Sequence, residues 1–484
     1  MTIRTVCFLL LSFSLVGCGT GSNSTPPPVP TTSVSGISFD APIQNGLVKV
    51  YSFDGGQVGA VLATGSTDSQ GNFSVSVQSQ SLPILIEIVG GRYVEEASGQ
   101  LIDLQRGQAL YAVKNFVMEQ PLSVTLSYYT TLATGYAQFL INKGVAVSDA
   151  IDQANTQLSS LPGFDVVATQ PLDITDPANA TPWLTAGHEY GFGLAALSGW
   201  TWDASKTNGA ADQSLYNSIR FIQVAYDDIR ADGMLDGKGA SGALAMGVIP
   251  LTTRVYRHEL AIQMLNVAAG SENRTGLAAV QLVDAAKRFN DSTSSVFGTD
   301  PTVPLSEGGP AISNISIKSG APLSGVVNFK SQVTSAIPLA SVELIIDSLA
   351  PFPGDPATPS FAIDTRTLAD GIHTLTILAT DVAGVSSNSS VQVLVDNTPP
   401  QAFNRTAVSN GTFYGTYTES GSGIAQIWVV WSDGVLANAT ATPTSSTGGT
   451  WSVPVRFGLS WSLHATDLAG NSCTPTPADT TNCQ

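Results

Sequence analysis

The chain has 484 residues, a formal net charge of −17 and only 12% charged residues. It is long enough for several domains, and its acidity disfavours nucleic acid and anionic lipid headgroups as partners. Beyond the N-terminus, no apolar stretch is long and charge-free enough to cross a membrane as a helix.

The N-terminus opens with Arg4 and an apolar run from Val6 to Leu15. That run is too short to span a bilayer and small residues follow it, so residues 1–17 read as a cleavable secretory signal. It ends in Leu15-Val16-Gly17-Cys18, which resembles the lipobox of bacterial lipoproteins. The resemblance implies cleavage before Cys18, a diacylglycerol on its sulfur, and a membrane partner reached through that lipid. Gly19 stands where lipoproteins kept in the inner membrane tend to carry Asp, which implies an address at the bacterial outer membrane or cell surface. Residues 18–35 are rich in Gly, Ser, Thr and Pro, bury no core, and read as a disordered tether.

Residues 36–120 carry strand signals. Phe73, Val75 and Val77 alternate with serines after an Asp68-to-Gly71 turn, Val48 and Val50 alternate likewise, and Leu82–Val89 ends in Gly90-Gly91. Asp40-Ala41-Pro42-Ile43, Gly46-Leu47-Val48, Thr67-Asp68 with Gly71-Asn72-Phe73, and Gly90-Gly91-Arg92-Tyr93 together resemble the transthyretin-like, or carboxypeptidase-regulatory-like, family. That resemblance implies a β-sandwich serving as a spacer or stalk.

Residues 121–300 change to a helical period and predict an all-α domain. Tyr128, Leu132, Tyr136 and Leu140 share one helix face. Ser148 is placed to cap a second helix carrying Ile151, Ala154 and Leu158, and further helical patterns run near 211–230, 253–268 and 275–289. His258-Glu259 and His188-Glu189 each start a zinc-protease pattern but lack its second histidine, so both histidines read as surface or core-edge residues. The densest acidic run spans 227–239. With Asp228 at the first position of an EF-hand loop, Asp232 falls at the fifth, Gly233 at the sixth and Asp236 at the ninth. Arg230 and Gly239, however, stand where the third and twelfth positions want carboxylates. Two readings remain. Either Asp228, Asp232 and Asp236 hold calcium in another geometry, or they decorate a solvated helix end with Gly233 and Gly237 at positive φ.

Residues 308–400 return to strand alternation at Val342, Leu344 and Ile346 and at Leu375, Ile377 and Ala379. Ala379-Thr380-Asp381-Val382-Ala383-Gly384 recurs as Ala465-Thr466-Asp467-Leu468-Ala469-Gly470, an offset of 86 residues, about one immunoglobulin-like domain. The phrase Leu368–Leu375, with Val395-Asp396-Asn397-Thr398-Pro399-Pro400, resembles bacterial immunoglobulin-like repeats. Residues 401–484 form a second, divergent copy lacking both phrases. This copy holds Trp428 and Trp431, whose odd spacing puts them on opposite faces of a strand. One of the pair fills the core at most, leaving the other to pack on the sheet or meet a glycan or surface-protein ligand. Cys473 and Cys483, close together in an exported tail, read as a local disulfide.

The expected architecture is therefore a lipid anchor, a tether, a transthyretin-like β-sandwich, a helical domain and one or two immunoglobulin-like sandwiches. The expected function is non-enzymatic binding or adhesion at the envelope. The alternatives are a hydrolase acting on polysaccharide or peptide from the helical domain, and a structural stalk of an envelope assembly.

Overall fold

The computed structural model describes residues 30–78, 82–117, 119–208 and 215–474. The signal with Cys18, the tether up to residue 29, residues 211–214 of the third helical pattern, and Cys483 lie outside the described residues. The protein is β-rich and multidomain with a small helical region.

The N-terminal sandwich holds β1 (Thr31–Ser38), β2 (Leu47–Asp54), β3 (Gln57–Ser66), β4 (Asn72–Gln78), β5 (Ile84–Val89), β6 (Arg92–Val94), β7 (Leu101–Asp103), β8 (Ala109–Lys114) and β9 (Leu122–Leu126). One sheet runs β4-β1-β9, the other β3-β2-β5-β8, and β6 pairs with β7 as a hairpin. Phe73, Val75 and Val77 are buried while the serines between them are exposed, as a half-buried strand requires. The turn before β4 is closed by Asp68, whose Oδ1 accepts the Gln70 and Asn72 amides at 2.8 Å each. Gly71 is required there: its φ is +77°, and a Cβ would meet the Ser38 carbonyl oxygen at 2.5 Å.

Two boundaries differ from the sequence reading. Residues 31–35 belong to β1, not to the tether, because they pair with β4 and, from Val34 on, also with β9, and because Thr32 and Val34 are buried while Thr31 and Ser33 face out. Short β-branched residues need no apolar run to extend a strand whose later residues are paired on both sides. At the other end β9 reaches Leu126, past residue 120, and runs parallel to β1.

The helices are α1 (Tyr128–Asn142), α2 (Val147–Ser159), α3 (Ala186–Thr207), α4 (Ser218–Asp232), α5 (Leu260–Ala269) and α6 (Ala279–Asn290), with a π-helical turn at Val255–Glu259 leading into α5. Ile151, Ala154 and Leu158 form the buried face of α2, but its N-cap is Ala146, and Ser148 lies inside the helix. The helical part has no core of its own. A single cluster of buried side chains runs from Val34 through Phe53, Leu126 and Tyr190 to Phe297, so sandwich and helices fold around one interior.

α3, at the centre of that interior, has no counterpart in the sequence reading. His188 and the run from Tyr190 to Thr201 are buried, so no polar face marks the helical period. Its glycines, which look like breakers, are packing devices: a Cβ on Gly191 would sit 2.0 Å from the Leu172 carbonyl oxygen. His188 and His258, read as surface or core-edge residues, are both buried instead. His188 contacts the Asn179 carbonyl at 3.0 Å and the Thr185 hydroxyl at 2.7 Å, and His258 contacts Asn290 Oδ1 at 2.9 Å. No described helix is long and apolar enough to cross a membrane.

The C-terminal part is a tandem of sandwiches with separate cores. The first is built around Phe329, Leu344, Ile377 and Val393, the second around Phe403, Val429, Trp431 and Trp451. The second has two four-stranded sheets that face each other across these residues. The repeated Ala-Thr-Asp phrase takes the same turn in both. Asp381 N donates to the Val385 carbonyl at 3.0 Å and Asp467 N to the Asn471 carbonyl at 3.1 Å, with each buried carboxylate accepting amides of its own turn.

Candidate metal centre

The two phrases that mark the repeats meet at the junction of the tandem. Asp396 follows strand Ser386–Val395 of the first sandwich, Glu419 follows strand Thr412–Thr418 of the second, and Asp467 ends strand Trp461–Asp467. All three are buried, and one carboxylate oxygen from each lies within 4.8 Å of the other two.

Backbone geometry fixes each carboxylate. Asp396 Oδ2 accepts the Ser422 amide at 2.6 Å and Oδ1 the Thr398 amide at 3.2 Å. Glu419 Oε1 accepts the Gly421 amide at 2.7 Å. Asp467 Oδ1 accepts the Asn471 amide at 2.8 Å, and its Oδ2 accepts Asn471 Nδ2 at 2.7 Å. That same Asn471 amide group donates across the junction to the Asp396 carbonyl at 2.7 Å, and Ser324 Oγ donates to the Ala469 carbonyl at 2.7 Å. Gly421 makes room for the site: a Cβ there would lie 2.3 Å from the Asp396 carboxyl carbon.

Electrostatics makes the arrangement costly without a counter-charge. Two unit charges less than 4.8 Å apart repel by about 3–4 kcal/mol at an effective dielectric of 20, more than one amide hydrogen bond returns. Burial raises the Glu419 carboxyl above its ordinary value, and the Asp396 and Asp467 charges push it the same way. Burial also raises Asp467, against the Asn471 donors. Among the described residues no Lys, Arg or His forms an ion pair with any of the three. An all-oxygen donor set without Cys or His suits a hard cation of the calcium class rather than zinc.

The first repeat lacks this group. At its equivalent turn, Asp381 Oδ2 meets the hydroxyl of Ser306, in the segment arriving from the helical part.

The acidic run 227–239 is arranged differently. Asp228 is buried on α4 and its Oδ2 accepts the Gly237 amide at 2.8 Å; burial pushes its carboxyl up to about 6. Asp232 Oδ1 accepts the Met234 amide at 2.9 Å, and Asp236 pairs with Lys238 Nζ at 2.5 Å. Gly233 and Gly237 both have positive φ, at 85° and 80°. Each aspartate thus serves a local donor, and the structure does not bring the three into one cluster as it does at the junction.

Trp428 and Trp431 lie on opposite faces of strand Ile424–Trp431. Trp431 is in the core, 5.9 Å from the Phe413 ring; Trp428 is half-buried and stacks on His464 at 5.4 Å. Cys473 is buried at the end of the second sandwich, and its expected partner Cys483 lies outside the described residues.

No protein-family model matches the chain, and no curated protein matches it. Solved structures to which it is similar include a three-domain titin I-band fragment, I67–I69, at 17% identity and a TM-score of 0.24, covering 35% of this chain and 64% of the fragment. Fibronectin(III)-like modules of CbhA from Clostridium thermocellum match at 20% identity and a TM-score of 0.22, covering 34% of this chain and 88% of the modules. SGBP-B of the Bacteroides ovatus mixed-linkage glucan utilization locus matches at 15% identity and a TM-score of 0.16, covering 35% of this chain and 46% of that protein. The chain thus spans less than two thirds of the length of the titin fragment.

Proposed function

We propose that this is a lipid-anchored protein of the bacterial outer membrane or cell surface with a non-enzymatic binding or adhesion-type role. In this reading the lipid sits on Cys18, the transthyretin-like sandwich and helices form one rigid base above it, and the sandwich tandem is presented outward. The observation that carries the reading is the junction of Asp396, Glu419 and Asp467. A cation held there ties residues of both sandwiches and sets the angle between them. A fixed angle serves a protein that presents a surface at a distance from its anchor. Trp428, on the outer face of its strand, is the residue of the tryptophan pair left to meet a glycan or surface-protein ligand.

Membrane fractionation tests the address. The parent should partition with membranes and Cys18→Ser should appear as a soluble or unprocessed species; equal partition of both contradicts the anchor. A screen of glycans and cell-surface proteins with the full mature chain tests the role. Binding weakened by Trp428→Ala supports it, and turnover of a polysaccharide or peptide would move the assignment to a hydrolase.

A further inference from the structure

A second group of acids lies far from the tandem, where the sandwich meets α3 and α4. Asp40 follows β1, and Glu95 and Glu96 follow β6. All three are buried. Glu95 is fully engaged: Oε1 accepts the Tyr93 hydroxyl at 2.6 Å and the Ser218 amide of the first turn of α4 at 2.7 Å, and Oε2 accepts the Ser218 hydroxyl at 2.7 Å. Its two neighbours are not. Both carboxylate oxygens of Asp40, and Oε2 of Glu96, are closed to water and have no hydrogen-bond partner. Native interiors do not leave ionised oxygens in this condition.

The chain around them is held firmly. The Phe39 amide donates to the Leu126 carbonyl at 2.8 Å, and Ala41 takes a φ of +56°, turning the backbone sharply beside Asp40. The Ala97 amide, next to Glu96, donates to Ser198 Oγ of α3 at 2.9 Å. A cavity of about 330 Å³ opens beside the group. Ala41, Pro42, Glu96, Asp173, Asp176 and Glu272 are among its lining residues, and none of the lining residues is basic. Burial raises the Asp40 and Glu96 carboxyls well above their ordinary values. Glu96 and Glu95 charges add to the shift at Asp40, and Glu95 and Asp173 charges to that at Glu96.

We propose that Asp40 and Glu96 are ligands of a second hard divalent cation, of the calcium class, which enters through the acidic cavity and fastens the sandwich to the helices. The orphaned oxygens select a bare ion over an organic cation, because they are closed even to water. Glu95 stands beside them as a fixed support, its oxygens already committed to Tyr93 and Ser218. The cavity acids Asp173, Asp176 and Glu272 raise the local cation concentration at the mouth.

Calcium uptake by the full-length mature chain, measured by equilibrium dialysis in an Asp396→Asn, Asp467→Asn background, tests this without the junction ligands. The background should retain one bound calcium. Glu96→Gln and Asp40→Asn should each weaken it by more than about tenfold. Chelator should speed amide exchange at Ala97 and Ser218 in the background. Should Asp40→Asn not fold, the milder Glu96→Gln decides. No uptake by the background, or an affinity unchanged in Glu96→Gln, overturns the proposal. Failure of the junction reading is distinguishable, since it would leave parent and background with equal calcium content.

Discussion

Gly191→Ala is expected to destabilise the base of the molecule by about 3 kcal/mol, although it adds one methyl to a helix. Within α3 the new Cβ would stand 2.0 Å from the Leu172 carbonyl oxygen, a backbone atom that moves only if the chain moves. α3 has no free side to which it can retreat, because its central residues are buried all round. The cost therefore appears as a displaced helix or a displaced 170–174 segment, and overpacking of this kind falls at the severe end of single substitutions. Gly199→Ala on the same helix is the control. Its Cβ would meet the Gln263 side-chain amide oxygen at 2.9 Å and a Val267 methyl at 3.0 Å, groups that can swing or give, and alanine improves helix propensity by up to about 1 kcal/mol. Denaturant titration followed by circular dichroism should show a large loss for Gly191→Ala and little for Gly199→Ala. Equal midpoints for Gly191→Ala and the parent would contradict the packing described here. Because sandwich and helices share one core, both should unfold together in the variant.

Trp431→Ala is expected to cost about 3–5 kcal/mol and to melt the second tandem sandwich alone. Trp431 is 1% exposed, and its side chain is among the largest in that small core, packed with Phe413, Val453 and Leu463. A cavity of that size in so few buried residues leaves little else to hold the two sheets. The other two cores contain none of these residues, so a calorimetric scan should lose one transition and keep the others. The same variant should lose the part of the calcium response that comes from the junction, since Glu419 and Asp467 belong to the sandwich that melts. Trp428→Ala, half-buried against His464, should leave that transition within about 1 kcal/mol of the parent. A scan in which Trp431→Ala behaves like Trp428→Ala would contradict the core assignment.

Much of this was legible in the residues, for reasons that can be named. Phe73, Val75 and Val77 alternate with serines because one face of β4 is wet and the other is not. The Ala-Thr-Asp phrase recurs because the same carboxylate closes the same turn in two successive sandwiches. Features without a periodic contrast stayed hidden. The centre of α3 is buried on every side, so no polar face marked it and its glycines resembled breakers, and β1 begins on Thr31 with little apolar content, held there by β4 and joined by β9 only from Val34.

The junction shows why proximity in sequence is a poor guide to which carboxylates gather in space. Asp228, Asp232 and Asp236 stand close together on the chain, yet each turns to its own local donor. Asp396, Glu419 and Asp467 are far apart in the sequence and meet only after two sandwiches have formed. Asp396 and Asp467 sat in the phrases that mark the repeats; Glu419, in the run Glu-Ser-Gly-Ser-Gly, carried no signal of its own. Only the fold joins them. Asp40, after β1, and Glu96, after β6, follow the same rule: far apart in the sequence, they come near enough for the Glu96 charge to act on Asp40.

The central claim is that a cation at Asp396, Glu419 and Asp467 couples the two C-terminal sandwiches. Its most direct test is the melting of the full chain by calorimetry in calcium and in chelator, for the parent and for Asp467→Asn. The account predicts that calcium at about a hundred times its dissociation constant stabilises the second sandwich of the parent by about 2–3 kcal/mol, and that Asp467→Asn removes this shift. Identical melting of the parent in calcium and chelator would contradict it. A calcium shift that survives in Asp467→Asn and vanishes in Asp232→Ala, Asp236→Ala would contradict it too, and would place the ion in the acidic turn after α4.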